Sequence, residues 1–367
     1  MKQHDALRRA VISRQTILPM DVVTLHRSVG QEFFVTAVPT ATTSVGSCVD
    51  QAVEFVKDQG ARVLSVDIHA CEPSESPDLP DCPVTFLTGS VPPLEGVHMW
   101  AIRGPTVRLL KRADRVIGSC WEDVHGLTVR LAGVIPSDAS APEETQASEV
   151  FEILKSTLAE CGLDFSNVVR TWFYNDRITA WYPAFNRART AFFKANRVFD
   201  GLVPASTGIG SSNIHGTALV AGLLAIRPKE GAIRVSPVVS PLQRPASEYG
   251  SSFSRAVEVS FPDHKRLIVS GTASIDPEGR TCHVGDAVGQ TDLTMRVVDR
   301  ILTSRDCTWS EVTRSIVYLK QAAYREPFEG YLRQHQMPTF PAIQIRNDIC
   351  RDDLLFEIEC DAIRPVV

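Results

Sequence analysis

An internal repeat constrains the fold of this chain more than any other feature. The segment "RLAGVIP" (130–136), followed by "QASEVFEILKSTLAECGL" and "NVVRTWFYN", has a counterpart in "LIVSGTASI" (267–275), followed by "QTDLTMRVVDRILTSRDC" and "EVTRSIVYL". Five residue types recur in the two segments at a constant spacing of 144 residues. The matched pairs are Gln146 and Gln290, Val168 and Val312, Arg170 and Arg314, Tyr174 and Tyr318, and Pro183 and Pro327. Such self-similarity predicts two copies of one structural unit.

Each copy has the pattern of an α/β unit. Val150, Phe151, Leu154 and Leu158 fall on one helical stripe, and Gly162 follows as a C′ residue. The apolar, β-branched and aromatic run "VVRTWFY" predicts a buried strand. "AWYPAFNRARTAFF" then predicts a second helix with proline in its first turn. Two further strands close each copy, "PASTGIG" and "TALVAGLLAI" in one, "FPAIQIRND" and "LLFEIECDAI" in the other.

A fainter copy precedes these two, with "FFVTAVP", "QAVEFVKDQGARVLSVDIHA", "CPVTFLTG" and "GVHMWAI" in the same order but no second helix. Three units of about 120 residues would account for the full length of this chain. We expect an α/β (α+β) fold of three tandem units, each a mixed β-sheet packed by two helices, with the first unit degenerate. The expected boundaries are 1–115, 116–235 and 236–367.

Composition excludes several functional classes. A formal charge of −5, with no stripe of Lys and Arg, disfavours a nucleic-acid partner. No apolar run reaches the length needed to span a bilayer, and the N-terminus lacks a signal-peptide pattern, so we expect no membrane partner and a cytoplasmic protein. The nine cysteines are odd in number and never spaced Cys-x-x-Cys, which predicts reduced thiols and no metal site.

The last strand places carboxylates in an apolar run. In "LLFEIECDAI", Leu355, Glu357, Glu359 and Asp361 share one strand face, whereas Phe356, Ile358 and Cys360 share the other. The acidic face must meet water, a partner or a substrate. A carboxyl group on such a strand is also placed where burial would raise its pKa.

The order of elements resembles the YjgF/Rid family, whose members form trimers with clefts between subunits. A closer resemblance, over roughly residues 115–365, is to the chorismatases, through "VVRTWFY", "WYPAFNRARTAFF", "PASTGIG", "YGSSFSRAVEV", "LIVSGTASIDPEG" and "CRDDLLFEIE". The resemblance implies a fused pseudo-trimer. It also implies cleavage of the enolpyruvyl ether of chorismate, a small dicarboxylate, with release of pyruvate and of either a dihydroxycyclohexadienoate or a hydroxybenzoate. Neither metal nor organic cofactor is implied.

The same resemblance implies site residues. Glu357 matches the catalytic acid, and the corresponding positions of the other copies are assigned to Ala221 and His98. Cys350 matches a cysteine of the hydroxybenzoate-forming members and favours 3-hydroxybenzoate as product. Cys360 is assigned to the core, and Glu359 is expected to hydrogen-bond the backbone.

A dicarboxylate substrate needs cationic ligands, for which arginine is suited because it binds carboxylates in bidentate fashion. The candidates are Arg170, Arg187, Arg189, Arg255, Arg346 and Arg351. We favour Arg170 and Arg189, with Arg255 as a further ligand. Backbone N–H groups of "PASTGIGSSN" and the hydroxyls of Ser206 and Thr207 are candidates for anion binding, and Tyr174 and Tyr249 for orienting a substrate hydroxyl.

Two alternatives stay open. One is an imine or enamine deaminase of Rid type, disfavoured because its Pro-Ala-Arg carboxylate clamp reads Pro204-Ala205-Ser206 and Pro341-Ala342-Ile343, and its Tyr is Phe253. The other is a non-catalytic small-molecule-binding protein, disfavoured because Glu357 is retained. Internal triplication removes the need for a homotrimer, but monomer and homo-oligomer both remain possible.

Overall fold

The structure is a computed structural model that describes residues 10–72, 79–246 and 251–366. Three mixed β-sheets follow one another along the chain, each flanked by one or two helices. This arrangement confirms the predicted α+β fold of three tandem units.

The first unit contains a seven-stranded sheet in the order β1-β2-β3-β6-β4-β5-β12. Its strands are β1 (Val11–Ile17), β2 (Met20–Arg27), β3 (Gly30–Ala37), β4 (Arg62–His69), β5 (Val84–Thr88) and β6 (Gly96–Arg103). Helix α1 (Val45–Asp58) packs on this sheet, and the described residues between β4 and β5 contain no helix. The last strand of the sheet, β12 (Ser212–Asn213), comes from the second unit.

The second unit contains a six-stranded sheet in the order β11-β10-β13-β9-β8-β7. Its strands are β7 (Val107–Arg112), β8 (Arg115–Glu122), β9 (Gly126–Val134), β10 (Val168–Asn175), β11 (Ala205–Gly210) and β13 (Leu219–Pro228). Helices α2 (Glu143–Ala159) and α3 (Ile178–Ala195) cover it. The four residues of the predicted stripe on α2 are fully buried, which confirms its orientation.

The third unit repeats this plan in the order β14-β15-β16-β19-β17-β18. Its strands are β14 (Arg234–Val238), β15 (Ala256–Ser260), β16 (His264–Ala273), β17 (Val312–Leu319), β18 (Ile343–Arg346) and β19 (Phe356–Pro365). Helices α4 (Ala287–Thr303) and α5 (Arg325–Gln334) cover it.

Strand pairing bears on the unit boundaries. β7 pairs with β8 in the second sheet, and a boundary at 115 would separate the strands of this hairpin. β14 pairs with β15 in the third sheet. We propose 104–106 and 229–233 as the two boundaries between the three units.

The repeated glutamines explain part of the internal similarity. The side-chain carbonyl of Gln146 accepts a hydrogen bond from the backbone N–H of Ala218, at 2.8 Å, and that of Gln290 accepts one from Leu355 at 2.8 Å. Both acceptors are buried helix residues, and both bonds fix the entry to the last strand of the unit. The spacing of 144 residues therefore reflects a shared anchoring role.

The units meet in a ring. β5 of the first unit contacts β9 of the second, β11 of the second contacts β16 of the third, and β18 of the third contacts β6 of the first. Each helix layer encloses its own apolar core, while a further cluster of buried residues joins the facing sheets of the second and third units. The predicted strand faces follow from this: Phe356, Ile358 and Cys360 lie in the helix-side core, and the acidic face of β19 lies toward the other units.

One local prediction was wrong. Helix α3 begins at Ile178, earlier than expected, so Pro183 lies in its second turn and not in its first. Among the described residues, no helix is both long and apolar enough to cross a membrane.

Candidate active site

A cleft between the second and third units brings several of the predicted residues together. The empty space of the cleft, including open solvent at its mouth, is about 580 Å³. Its lining from the second unit is Tyr182, Arg189, Ser206 and Gly208, and from the third unit Ser251, Phe253, Arg255, Gly271, Ala273, Ile275, Cys350, Arg351, Leu354 and Glu357. The cleft therefore needs two neighbouring units for its walls.

Glu357 lies at the inner wall of the cleft, on β19 between Tyr318 of β17 and Ala273 of β16. The side chain is 5% exposed. It fits because the adjacent strand carries Gly271: a Cβ at that position would lie 2.1 Å from Glu357 Oε1. The glycine thus makes the space that the carboxyl group occupies.

The surroundings of Glu357 favour its protonated form. Burial raises the pKa of this carboxyl group to about 8, and the negative charge of Glu359 adds to the shift. Arg170 and Arg255 oppose it but do not cancel it. Glu357 is consequently a neutral acid near neutral pH.

Glu359, on the same face, is an ion-paired carboxylate and does not bond the backbone as expected. Its Oε2 accepts from Arg170 Nη2 at 2.8 Å, and its Oε1 accepts from Arg314 Nη2 at 2.8 Å and from Trp172 Nε1 at 3.0 Å. Although burial acts in the opposite direction, the two guanidinium groups lower the pKa of Glu359 to about 2. The repeat-related Arg170 and Arg314 therefore hold one carboxylate between them.

Strand register corrects the assignment of the acid position in the other units. Tyr318 lies opposite Glu357, and its repeat equivalent Tyr174 lies opposite Val220, not Ala221. In the first unit the matching position is Gly96, opposite His69, and His98 lies one pair further along the face. The conclusion that Glu357 is the acid of a single unit is unchanged, since glycine and valine stand at the other two positions.

Packing at the corresponding joint between the third and first units leaves no room for a carboxyl group. A Cβ at Gly96 would lie 2.7 Å from Ile343 Cγ2. Ile343 is opposite Ile316 on β17, as Thr207 is opposite Trp172 on β10, so an isoleucine fills the place of a threonine. Strand register thus equates Ile343 with Thr207, one residue from Ser206, with which the Pro-Ala-Arg comparison aligned it.

Cys350 reaches the cleft through a segment anchored to the second unit. The Asp348 carbonyl accepts from Gly210 N at 2.7 Å, and Asn347 Nδ2 donates to the Gly210 carbonyl at 2.5 Å. Burial, with the Glu357 charge, raises the pKa of the Cys350 thiol to about 12, and a hydrogen bond to Tyr182 opposes this. Cys350 is therefore a neutral thiol that contacts a tyrosine hydroxyl.

The structure brings two of the three favoured arginines into the cleft. Arg189 and Arg255 are each 3% exposed and line opposite walls, with Arg189 Nη2 donating to Asn186 Oδ1 at 2.7 Å and Arg255 Nε to the Arg244 carbonyl at 3.2 Å. Arg351 also lines the cleft and donates to the Gly279 carbonyl at 2.7 Å.

Arg170, the other favoured ligand, is placed differently. Its side chain is fully buried outside the cleft lining and donates to Glu359, to Thr207 Oγ1 at 2.6 Å and to the Val269 carbonyl at 3.1 Å. These contacts hold the second and third units together and give it a structural role. Arg187 forms an exposed pair with Glu144, and Arg346 is exposed outside the lining.

The expected anion-binding turn is a strand. Residues 205–210 form β11, an edge strand whose backbone pairs with β10. Ser206 does line the cleft, and its N–H donates to Ser270 Oγ at 2.9 Å. The Thr207 hydroxyl instead accepts from Arg170 and from Gly271 N, the latter at 3.0 Å.

The two candidate tyrosines are not part of the described lining. Tyr174 is buried and packs edge-on against His69, with ring centroids 6.2 Å apart. Tyr249 lies outside the described residues. Sequence reasoning missed Tyr182, although a signal existed: it precedes Arg189 by seven residues, two helical turns, and so shares its face of α3. Within residues 10–72, 79–246 and 251–366, no group of three or more His, Cys, Asp or Glu side chains is placed to hold a metal ion.

Comparisons with known proteins agree with this architecture. Residues 243–364 match the family model described as Endoribonuclease L-PSP. A 3-hydroxybenzoate synthase of Streptomyces hygroscopicus is 26% identical over 253 residues, which cover 62% of this chain and 72% of that protein. A crystal structure of a chorismatase shares the fold with a TM-score of 0.67 and 18% identity, covering 92% of this chain and 100% of that one.

The three sheets and the cleft between units therefore share the fold of a chorismatase, and residues 243–364 are similar to the Endoribonuclease L-PSP family. The resemblance of the chain to the chorismatases is confirmed by these similarities.

Proposed function

We propose that this chain is a chorismatase-type enzyme that removes the enolpyruvyl group of chorismate as pyruvate, with Glu357 as the general acid. The observation that carries the proposal is a buried carboxyl group, with a pKa raised to about 8, in an inter-unit cleft that also contains arginines. The similarity to a 3-hydroxybenzoate synthase supports chorismate as the substrate.

Glu357 would deliver the first proton. Cleavage of an enol ether begins when a proton adds to the terminal CH2 group and leaves an oxocarbenium carbon, which water or a neighbouring hydroxyl then captures. A general acid works best when its pKa lies near the operating pH. The pKa of Glu357 meets this condition, whereas Glu359, held as a carboxylate by Arg170 and Arg314, has no proton to donate.

Arginines of the cleft would bind the two substrate carboxylates. Arg189 and Arg255 come from different units, so a dicarboxylate that bridges them would span the cleft past Glu357. Ser206 and Tyr182, which also line the cleft, supply hydroxyl groups for the substrate. The role proposed for Arg170 changes from substrate ligand to positioning residue, because its guanidinium group is committed to Glu359.

We assign the product to 3-hydroxybenzoate, with Cys350 directing the outcome. This product and pyruvate together contain the atoms of chorismate, so the reaction consumes no net water, whereas formation of a dihydroxycyclohexadienoate consumes one. A small neutral thiol beside Tyr182 is suited to shaping the cleft around the ring, and the pKa of Cys350, raised to about 12, makes it a poor nucleophile.

The test is incubation of the purified protein with chorismate while pyruvate is measured with a coupled dehydrogenase and aromatic products by chromatography. We expect equimolar pyruvate and 3-hydroxybenzoate, and a loss of about 10²- to 10⁴-fold in the Glu357→Gln variant. The Asp164→Asn variant, altered at an exposed turn outside the cleft lining, serves as control. Absence of pyruvate above the uncatalysed rate, or ammonia release from an imine substrate instead, would refute the proposal.

A further inference from the structure

Two cysteines outside the cleft share one arginine. Cys120 is on β8, and Cys161 follows the end of α2; both belong to the apolar core of the second unit. Arg108 Nη2 lies 3.1 Å from Cys161 Sγ and 3.8 Å from Cys120 Sγ. Both sulfurs therefore lie within reach of one guanidinium nitrogen, so three groups converge at one point.

The pair lies beneath an exposed side chain. Cys120 is 4% exposed and Cys161 8% exposed, and Arg108, which lies against both sulfurs, is itself an exposed residue. A long flexible side chain is therefore part of the cover over the pair. All nine cysteines are free thiols in the structure, so the pair is in its reduced form.

The electrostatic setting favours a thiolate at this pair. Interaction with the Cys161 thiol, together with the positive charge of Arg108, lowers the pKa of Cys120 although burial acts in the opposite direction, and the pKa of Cys161 is raised. Other buried cysteines differ: burial raises the pKa of Cys82 to about 12 and that of Cys307 to about 11. The thiolate is the reactive form towards oxidants.

We propose that Cys120 and Cys161 are a redox-modification site, which a hydroperoxide converts into an intramolecular disulfide and an external dithiol restores. The Cys120 thiolate attacks the peroxide O–O bond, which breaks to give a sulfenic acid on Cys120 and, from hydrogen peroxide, hydroxide that becomes water. The Cys161 sulfur then attacks the sulfenic sulfur, and a second water leaves. Two thiols lose two electrons in total, and one peroxide is reduced to two waters.

The direct test uses the whole wild-type protein near pH 7 with an equimolar amount of hydrogen peroxide. Free thiols are then alkylated with iodoacetamide under denaturing conditions, and peptides are mapped by mass spectrometry. We expect a peptide pair joined through Cys120 and Cys161 that dithiothreitol separates, while the exposed Cys71 and the half-buried Cys282 remain alkylated as single thiols. Oxidation of Cys71 with Cys120 and Cys161 still alkylated would overturn the proposal.

Variants at the exposed Arg108 test the electrostatic contribution without changing the core. Arg108→Met should slow disulfide formation roughly tenfold near pH 7, because it removes the charge that favours the thiolate, and Arg108→Lys should recover part of the rate. In Cys161→Ser, dimedone should trap the sulfenic acid on Cys120. Equal rates in Arg108→Met and wild type would overturn the role assigned to the arginine.

Discussion

Glu357 and Glu359 lie two residues apart on one face of β19, and their pKa values are displaced in opposite directions, to about 8 and about 2. The difference is due to their partners. Glu359 accepts hydrogen bonds from two guanidinium groups, whereas Glu357 lies beyond them, buried, with the Glu359 charge nearby. One strand face thus carries a fixed anion and a protonated acid, which is the division of roles that proton donation requires.

The pH dependence of turnover follows from the raised pKa. If protonated Glu357 is the reactive form, kcat/KM for chorismate should be constant between about pH 6 and 7.5 and fall tenfold per pH unit above about 8. The measurement is a pH–rate profile from initial rates of pyruvate release, with protein stability checked at each pH. A rate that rises through pH 8 would contradict the acid role.

The stability of the Glu357→Gln variant has a predicted sign. The folded protein keeps the Glu357 proton up to about pH 8, whereas the unfolded chain loses it near the ordinary value of 4.5, so the wild type loses stability as pH rises between these values. Glutamine removes this cost. We expect the variant to have a larger free energy of unfolding at pH 9, by up to about 4 kcal/mol, with the gain vanishing near pH 5.

Glu359→Gln is the matched control and should act in the opposite direction. Its lowered pKa makes a stability contribution that is present above about pH 4.5 and is lost as the pH falls toward 2. Removing the carboxylate leaves Arg170 buried without its ion partner, so a loss of about 3–5 kcal/mol is expected at pH 7. Urea unfolding at several pH values measures both variants, and shifts of the same sign would refute the assignment.

The space at Gly271 can be tested with one methyl group. Gly271→Ala would place a Cβ at 2.1 Å from Glu357 Oε1 and should displace the carboxyl group, lowering kcat by about 10²-fold or more. Gly208→Ala is the control on the other wall, since its Cβ would lie 3.9 Å from Tyr182, an ordinary contact. Circular dichroism should show both variants folded, and a near-normal rate in Gly271→Ala would contradict the proposed geometry.

The proposed substrate contact distinguishes Arg189 from Arg187, which lies two residues away on α3. Arg189→Lys should raise KM for chorismate by about tenfold or more, because lysine cannot reproduce a bidentate carboxylate contact. Arg187→Lys, at an exposed pair with Glu144 on another face of the helix, should leave KM unchanged. Steady-state kinetics of the two variants provide the comparison, and equal effects would remove Arg189 from the substrate site.

Cys350 is predicted to govern the product more than the rate. In Cys350→Ala, the fraction of pyruvate accompanied by 3-hydroxybenzoate should fall, with a dihydroxycyclohexadienoate replacing it, while total pyruvate changes by less than about tenfold. Cys282→Ala, outside the cleft lining, is the control. Chromatography of both products against pyruvate measures the ratio, and an unchanged ratio would leave Cys350 without a role in product choice.

Sequence alone predicted the repeat, the helix α2, the two faces of β19 and the position of Glu357. These features depend on local periodicity and on short matching sequence segments. It placed the equivalent position at Ala221, one residue from Val220, since an alternating pattern does not fix register and a one-residue slip exchanges faces. The hydrogen bonds of Gln146 and Gln290 define that register, and they exist only in the folded chain.

The sequence also could not settle the role of Arg170. Its partner Glu359 is 189 residues away, and nothing local distinguishes an arginine held by a distant carboxylate from one that faces a substrate. Helical periodicity could have identified Tyr182, because it lies two turns from Arg189 on α3. The sequence prediction instead chose Tyr174, which lies on the preceding strand.

The packing of Ile343 against Gly96 has a consequence for how such a site can diverge between units. In an assembly of identical subunits, every substitution is repeated at each joint, so glutamate and glycine could not both stand at one equivalent position, nor threonine and isoleucine at the other. Here the joints are encoded separately: Ile343 packs against Gly96 at one joint, and Thr207 leaves space beside Gly271 and Glu357 at another. Because the three units are parts of one chain, the joints between them need not have the same residues. Two joints can be optimised for packing while the third contains the proposed active site.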